Sequence, residues 1–272
     1  MIQAAVTVSL VPQARGGPFV FWDDFPAAAA QAAQLGFNGI EVFAPSGEIL
    51  AGLNLGSVLK ETGLRLAAVG TGGGWLIHRL TLCDPDATRR QAACDFVRKI
   101  IDAGGPHGAP AIVGSMQGRH GEGNELATAR GYLSDSLHLL SEHARSYNVP
   151  LLYEPLNRYE TNFANTQAAG VELIKAVSPT ANLRLLADLF HMNIEEANSA
   201  QALRDVGPWL GHVHFADSNR RAAGFGQMNF APIIAVLRDV GYSGWLSAEV
   251  FSWPDALGAA QKTIETFRRV CS

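Results

Sequence analysis

The chain has 272 residues, of which 47% are hydrophobic and 17% are charged. Globular domains average ~25% charged residues, so this composition excludes a disordered chain and predicts a well-buried core. The formal net charge of −4 excludes the strongly basic surface expected of proteins that grip nucleic acid or acidic membranes.

The three cysteines, Cys83, Cys94 and Cys271, show no Cys-x-x-Cys spacing, so we predict neither a disulfide framework nor a cysteine metal site. The first ten residues contain no Lys or Arg, which argues against a secretory signal. The sequence has no apolar run of about 18 residues, which a membrane-spanning helix would need. We therefore expect a cytoplasmic protein with no nucleic-acid or membrane partner.

Short apolar segments rich in Val, Ile and Leu recur along the chain, and longer segments with helical periodicity lie between them. We predict eight strands, at residues 4–10, 39–43, 65–69, 111–113, 150–154, 184–188, 212–216 and 245–250. Helices are predicted at residues 86–103, 125–147 and 230–240, among others. Residues expected to break the connections are Gly36, Gly63, Gly104, Pro179 and Gly241.

Eight strands alternating with helices predict an α/β protein, either a closed (β/α)₈ TIM barrel or an open doubly wound sheet. An open nucleotide-binding sheet would carry Gly-x-Gly-x-x-Gly after its first strand, but residues 11–17 read Val-Pro-Gln-Ala-Arg-Gly-Gly. We therefore favour the barrel. No linker or low-complexity tract interrupts the repeat, so a single barrel domain over residues 1–272 is expected.

Each of the last four predicted strands ends in a polar residue: Glu154, Asp188, His214 and Glu249. Their spacings of 34, 26 and 35 residues are each close to one strand-helix unit. In a barrel these positions converge at the carboxyl ends of the strands, where barrel enzymes hold their active sites. Residues two positions earlier in the chain, such as Leu152 and Leu186, are expected one layer deeper.

Three carboxylates buried with one imidazole would be very costly without a cation among them. Oxygen-rich donors with a single nitrogen favour Mn²⁺, Mg²⁺ or Co²⁺, with Zn²⁺ as an alternative. His212 faces the same way as His214, but it is further from the strand end, so we assign His214 as the ligand. His191 lies three residues after Asp188, one helical turn onwards over the same opening.

Three segments together resemble the signatures of the sugar isomerase/epimerase barrels, which are xylose isomerase-like. They are residues 154–160 (Glu-Pro-Leu-Asn-Arg-Tyr-Glu), 187–196 (Ala-Asp-Leu-Phe-His-Met-Asn-Ile-Glu-Glu) and 212–220 (His-Val-His-Phe-Ala-Asp-Ser-Asn-Arg). The chain is most similar to the D-tagatose 3-epimerase family of ketose 3-epimerases, including its 5-keto-gluconate epimerase-like members. The resemblance covers nearly the whole chain and is weaker in the first sixty residues.

The resemblance implies a role for each matched residue. The implied metal ligands are Glu154, Asp188, His214 and Glu249, and the two glutamates double as the catalytic acid/base pair. Glu160, His191 and Arg220 match positions that bind the ketose near its carbonyl group. The chain departs from the family pattern at residues 114–119 and 251–253, which shape the pocket, so the resemblance does not identify the sugar.

The expected activity is a divalent-metal-dependent ketose 3-epimerase acting on a free ketose or keto-sugar acid. Inverting a carbon beside a ketone requires proton removal on one face and proton return on the other, through a metal-bound cis-enediolate with two glutamates as acid and base. Trp22, Phe43, Trp75 and Trp253 follow strands and are candidates to pack against the sugar. The low charged fraction also permits a homo-oligomer, either a dimer or a tetramer.

Three alternatives remain open on the same barrel. A metal-dependent aldose-ketose or hydroxypyruvate-type isomerase would use the same metal and one glutamate. An apurinic endonuclease-like phosphodiesterase is less favoured, because residues 70–72 (Gly-Thr-Gly) and 114–116 (Gly-Ser-Met) stand where that family places histidines. A non-catalytic sugar-binding barrel is disfavoured, because burying unneeded carboxylates would only cost stability.

Overall fold

The computed structural model describes residues 1–121, 123–178 and 180–272, so Pro179, an expected breaker, lies outside the described residues. Nine strands form one parallel sheet. Their bounds are β1 Gln3–Ser9, β2 Phe21–Trp22, β3 Gly39–Phe43, β4 Arg65–Gly70, β5 Ala111–Val113, β6 Leu151–Tyr153, β7 Leu183–Asp188, β8 Leu210–His214 and β9 Trp245–Ala248.

The sheet closes into a single TIM barrel of eight parallel strands, as the sequence predicts. Strands β3 to β9 are neighbours in chain order, and β1 pairs with both β3 and β9 to complete the ring. The two-residue strand β2 was not predicted. It pairs with Val8 and Ser9 of β1, beyond the point where the pairing of β1 with β9 ends at Val6.

The helices follow the strands in chain order. Their bounds are α1 Phe25–Leu35, α2 Gly47–Ala51, α3 Leu55–Thr62, α4 Gly73–His78, α5 Ala87–Gly104, α6 Leu126–Arg145, α7 Gln167–Val177, α8 Leu189–Glu195, α9 Ser199–Val206, α10 Phe230–Asp239 and α11 Ala256–Cys271. Polar side chains cap several amino-terminal ends, as where Asp86 accepts hydrogen bonds from the first turn of α5. No described helix is long and apolar enough to cross a membrane.

Alternate strand residues face the barrel interior and the surrounding helices. Leu152 and Leu186 contact Ala68 and Ile112 inside the barrel, whereas Leu151 and Leu185 join the core between strands and helices. This alternation follows from the two-residue period of a strand. The prediction that residues 152 and 186 lie one layer below the polar strand ends is therefore confirmed.

The main differences from the sequence prediction lie at element ends. The strands predicted at 150–154, 212–216 and 245–250 end at Tyr153, His214 and Ala248, so Glu154 and Glu249 each follow a strand directly. Gly104, predicted to break a connection, is instead the last residue of α5. Gly36 ends α1 in the left-handed conformation, with φ of 87°, as its prediction as a breaker requires.

Candidate active site

Four predicted ligands meet at the carboxyl end of the barrel. Glu154 and Glu249 directly follow β6 and β9, while Asp188 and His214 end β7 and β8. One ligand atom from each of the four lies within 4.8 Å of those of the others. His214 Nδ1 is 3.4 Å from Glu154 Oε1, 3.4 Å from Asp188 Oδ2 and 3.7 Å from Glu249 Oε2. Because the four residues hold the same place in successive strand-helix units, their side chains meet at one point.

The donor atoms of this group fit a divalent cation. Among the described residues, Glu154 Oε1, Asp188 Oδ2 and His214 Nδ1 are buried without a hydrogen-bond partner. Buried polar atoms normally have a partner, and three such atoms around one point indicate a common ligand. Three carboxylate groups with one imidazole nitrogen suit Mn²⁺, Mg²⁺ or Co²⁺.

The carboxyl groups of the site differ in acidity. Burial raises the pKa of Glu249 to about 7. The positive charges of His214 and Arg220 act in the opposite direction, while the negative charges of Glu154 and Asp188 raise this pKa further. Burial acts in the same direction on Asp188, but His191, His214 and Arg220 outweigh it and hold its pKa below the ordinary value. Carboxyl groups in one cavity that differ in this way can take different roles in proton transfer.

Glu41, on β3, was not predicted from the sequence and lies directly behind His214. Its Oε1 is 3.1 Å from His214 Nε2, and its Oε2 is 2.9 Å from His212 Nε2. All three side chains are buried. Burial raises the pKa of Glu41, yet the two histidines, His214 first, outweigh it and hold the pKa well below its usual range, so this group is a carboxylate.

An ionised carboxylate only accepts hydrogen bonds, so both histidine Nε2 atoms carry a proton. With Nε2 bonded to Glu41, it is Nδ1 of His214 that faces the cluster of Glu154, Asp188 and Glu249, and loss of its proton would give this nitrogen a lone pair for a metal. The prediction that His212 lies in a deeper layer is also supported, since it contacts Glu41 rather than the four-residue group. The sequence signal for Glu41 was one acidic residue in the otherwise apolar segment Gly-Ile-Glu-Val-Phe at residues 39–43.

The three predicted substrate-binding residues surround the same opening. Arg220 donates from Nη2 to Glu249 Oε2 at 2.7 Å and from Nη1 to Glu160 Oε1 at 3.4 Å. His191 Nδ1 contacts the side-chain amide of Asn157 at 2.7 Å. The other nitrogen, Nε2, lies 3.7 Å from Asp188 Oδ2 and has no hydrogen-bond partner among the described residues.

These residues line one cavity of about 370 Å³. Its lining includes six of the seven predicted site residues, Glu154, Glu160, His191, His214, Arg220 and Glu249, while Asp188 is fully buried. The lining also includes the apolar side chains Phe19, Phe43, Trp75 and Leu76. A cavity lined by both polar and apolar groups suits a sugar, which has hydroxyl groups and C–H faces.

Two of the four candidate aromatic residues reach this cavity. Phe43 and Trp75 line it, whereas Trp22 and Trp253 are not among its described lining residues. Trp253 instead packs beside Arg221, whose guanidinium carbon lies 4.0 Å from the ring centre. Phe19, which the sequence did not single out, stacks on Phe43 with ring centres 4.5 Å apart.

Comparison with known proteins places the chain among carbohydrate-active barrels. The chain is 32% identical to 3-dehydro-D-guloside 4-epimerase of Escherichia coli over 228 residues, which is 79% of this chain and 83% of that protein. It is 40% identical to D-psicose 3-epimerase of Agrobacterium fabrum, but only over 123 residues, 45% of this chain and 42% of that protein. The matched segment therefore spans less than half the length of that relative.

Solved structures give the same picture. A 3-keto-D-glucoside 4-epimerase from E. coli superposes with a TM-score of 0.80 at 25% identity, covering 99% of this chain and 100% of that one. A D-allulose 3-epimerase from Methylomonas in complex with D-allulose superposes with a TM-score of 0.82 at 24% identity, covering 99% and 97%. The second likeness shows the fold alone. The family model described as "Xylose isomerase-like TIM barrel" matches residues 29–270. The chain therefore belongs to the xylose isomerase-like TIM barrel family.

Proposed function

We propose that this protein is a sugar epimerase, and more narrowly a divalent-metal-dependent ketose 3-epimerase acting on a free ketose or keto-sugar acid. One observation carries the proposal. The unpartnered donor atoms of Glu154, Asp188 and His214 converge beside Glu249 at the floor of a cavity that is large enough for a sugar. The names of the relatives support the same general chemistry, inversion of a carbon beside a ketone.

Glu154, Asp188, His214 and Glu249 would hold the metal, for which Mn²⁺, Mg²⁺ or Co²⁺ are the best candidates and Zn²⁺ is an alternative. When bound, a divalent cation supplies positive charge that stabilises negative charge developing on the substrate oxygens. The remaining chemistry belongs to the side chains around the cavity.

Glu154 and Glu249 are the proposed acid/base pair. They follow β6 and β9, three strands apart around a ring of eight, so their carboxyl groups reach the substrate from different sides. One would remove the proton from the carbon beside the ketone, and the other would return a proton on the opposite face. General acid/base transfer of this kind contributes typically about 10²- to 10⁴-fold to the rate.

Three further residues are proposed to bind and orient the sugar. The guanidinium of Arg220 donates hydrogen bonds to both Glu249 and Glu160. These bonds would hold its positive charge near the substrate oxygen on which negative charge develops. His191 Nε2 would donate to a substrate hydroxyl, because Asn157 holds the other ring nitrogen. The rings of Phe19 and Phe43, which also line the cavity, would pack against C–H groups of the sugar.

Incubating the Mn²⁺-loaded protein with a panel of ketoses in D₂O tests the proposal, with NMR locating the deuterium. We expect deuterium at C3 together with inverted configuration at C3. Exchange confined to C1 or C2 would support the aldose-ketose or hydroxypyruvate-type isomerase instead. Exchange at C4 of a 3-keto sugar would support a 4-epimerase, which the long match to the E. coli relative favours as the second candidate. Glu249→Gln should abolish exchange, and full activity of this variant would remove Glu249 from the mechanism.

A further inference from the structure

A second cavity of about 530 Å³ adjoins the first and is larger than it. The two cavities share three wall residues, Trp75, Ser115 and Glu160. None of the four residues proposed to hold the metal lines the second cavity. The two cavities are therefore neighbours, and the residues between them carry a tryptophan ring, a hydroxyl group and a carboxylate.

Hydrogen bonds hold the walls of the second cavity in place. Asn124 Nδ2 donates to the carbonyl oxygen of Cys83 at 2.8 Å, and Thr161 Oγ1 donates to that of Gly118 at 3.0 Å. Arg119 Nη1 donates to the carbonyl oxygen of Tyr159 at 3.2 Å. Because these bonds tie several loops together, the protein itself holds the walls of the cavity in place, as is usual for small-molecule sites.

One buried acceptor in this cavity lacks a partner. Asn124 is 6% exposed and lines the cavity, and its Oδ1 has no hydrogen-bond partner among the described residues. This oxygen is itself shielded from solvent, so Asn124 adds polar surface to the wall, and the groups that can reach a ligand are the other polar side chains of the lining.

The charges of the cavity argue against an anionic ligand. Its charged lining residues within the described chain are Arg119, Asp84 and Glu160, one cation against two carboxylates. Asp84 forms an ion pair with Arg89, which is not among the described lining residues: Arg89 Nε donates to Asp84 Oδ2 at 2.9 Å. A phosphate or carboxylate would therefore meet no excess of positive charge, whereas a neutral polyol would find both donors and acceptors.

The second cavity also has aromatic side chains in its lining. Trp75 forms part of its wall, and Tyr159, which also lines it, has 75% of its surface exposed. Aromatic faces pack against the C–H face of a sugar ring, while amide, hydroxyl and carboxylate groups bond its hydroxyls. A purely apolar substituent would make no hydrogen bonds to the polar groups of this lining.

From these observations we propose that the second cavity binds a neutral sugar ring linked glycosidically to the ketose in the first cavity. A free ketose would then fill only the first cavity, and a ketose-containing disaccharide or glycoside, which fills both, would be the preferred substrate. This inference rests on the proposed function, because it assumes that the reacting ketose occupies the first cavity. It extends that function by naming the part of the substrate that does not react.

Isomaltulose, in which glucose is joined to O6 of fructose, is the probe, and D-fructose is the matched single sugar. Both are titrated into the Mn²⁺-loaded protein by calorimetry, and both are assayed for deuterium exchange in D₂O. We expect isomaltulose to bind at least tenfold more tightly and to show at least a tenfold higher kcat/KM. Equal or weaker binding of isomaltulose overturns the proposal, whether or not either sugar turns over.

Arg119→Trp, which narrows the second cavity, should lower the isomaltulose to D-fructose ratio of affinities and of kcat/KM at least tenfold. Arg145→Trp is the matched control, because Arg145 lies on α6 and lines neither cavity, and it should leave both ratios unchanged. An unchanged ratio in Arg119→Trp contradicts the proposal. Tighter binding of D-fructose 6-phosphate than of isomaltulose also overturns it.

The two proposals fail in distinguishable ways. Absence of exchange with every sugar refutes the epimerase, while the calorimetric ratio still decides the second cavity. If D-fructose exchanges deuterium and isomaltulose is not preferred, the epimerase proposal stands and the proposal of a glycosidic substrate is refuted.

Discussion

Removing the carboxylate of Glu41 should weaken metal binding although Glu41 is not itself a proposed ligand. In Glu41→Ala, His214 Nε2 loses its acceptor at 3.1 Å, and His212 Nε2 loses its acceptor at 2.9 Å. Nothing then favours the tautomer that directs the His214 Nδ1 lone pair towards the cluster. Partners that orient a metal-binding histidine are typically worth 10- to 100-fold in affinity, or about 1.4 to 2.8 kcal/mol.

The assay is calorimetric titration of Mn²⁺ into metal-free protein, with ¹⁵N NMR of the histidine side chains as a second readout. In the Mg²⁺-loaded wild type, His214 should show a protonated Nε2 and an unprotonated Nδ1. In Glu41→Ala, we expect a mixture of tautomers and at least tenfold weaker Mn²⁺ binding. The altered tautomer signal separates loss of orientation from general loss of structure.

Two further variants control the interpretation. Glu41→Gln keeps one acceptor oxygen and should bind Mn²⁺ with an affinity between those of the wild type and Glu41→Ala. Glu48→Ala removes an exposed carboxylate whose partner is Lys99, and it should bind Mn²⁺ as the wild type does. Wild-type Mn²⁺ affinity and an unchanged His214 tautomer in folded Glu41→Ala would refute the reasoning.

Three other outcomes follow from the site and the core. Arg220→Lys should lower kcat/KM by about 10²-fold in the exchange assay, because an ammonium group cannot replace the planar fork that spans Glu249 and Glu160. Burial raises the pKa of Glu249 to about 7, so below that pH the metal-free protein holds a proton on Glu249. Binding of Mn²⁺ at pH 6 should release this proton. The apparent affinity for Mn²⁺ should therefore rise as the pH increases towards 7. Calorimetry in buffers of different ionisation enthalpy measures that proton, and its absence contradicts the assignment. Leu152→Ala, inside the barrel, should destabilise folding by about 2–5 kcal/mol, as measured by urea denaturation.

The sequence predicted the four proposed ligands because each occupies the same place in a repeated strand-helix unit. Glu154, Asp188, His214 and Glu249 keep that phase through the second half of the chain, so no long-range information was needed to bring them together. The strand ends were less well predicted, since Glu154 and Glu249 follow their strands instead of ending them. Both side chains still reach the four-residue group, because the main chain is held at both points: Glu154 N donates to the carbonyl oxygen of Val113 on β5, and Glu249 N donates to that of Ser247.

Glu41 could not be predicted in the same way, because its partners lie 171 and 173 residues away along the chain. Only barrel closure, through the pairing of β1 with both β3 and β9, brings strands β3 and β8 to face one interior. An isolated acid in an apolar strand is a signal of that kind of burial, but it does not identify the partner. Here the partner proved to be a pair of histidines two residues apart.

The second cavity is formed by loops, whose structure local sequence patterns predict least well. Its walls come from the loops that follow β4, β5 and β6, including the regions around Asp84, Arg119 and Tyr159. Loops have no periodicity, so their mutual contacts arise from side-chain hydrogen bonds such as that of Asn124 to Cys83. Ser115, Gly118 and Arg119 of this wall lie in the segment 114–119, where a departure from the family pattern is expected from the sequence. Under the proposed function, the barrel places the groups that move the proton, and these loops limit the size of the sugar that can reach them.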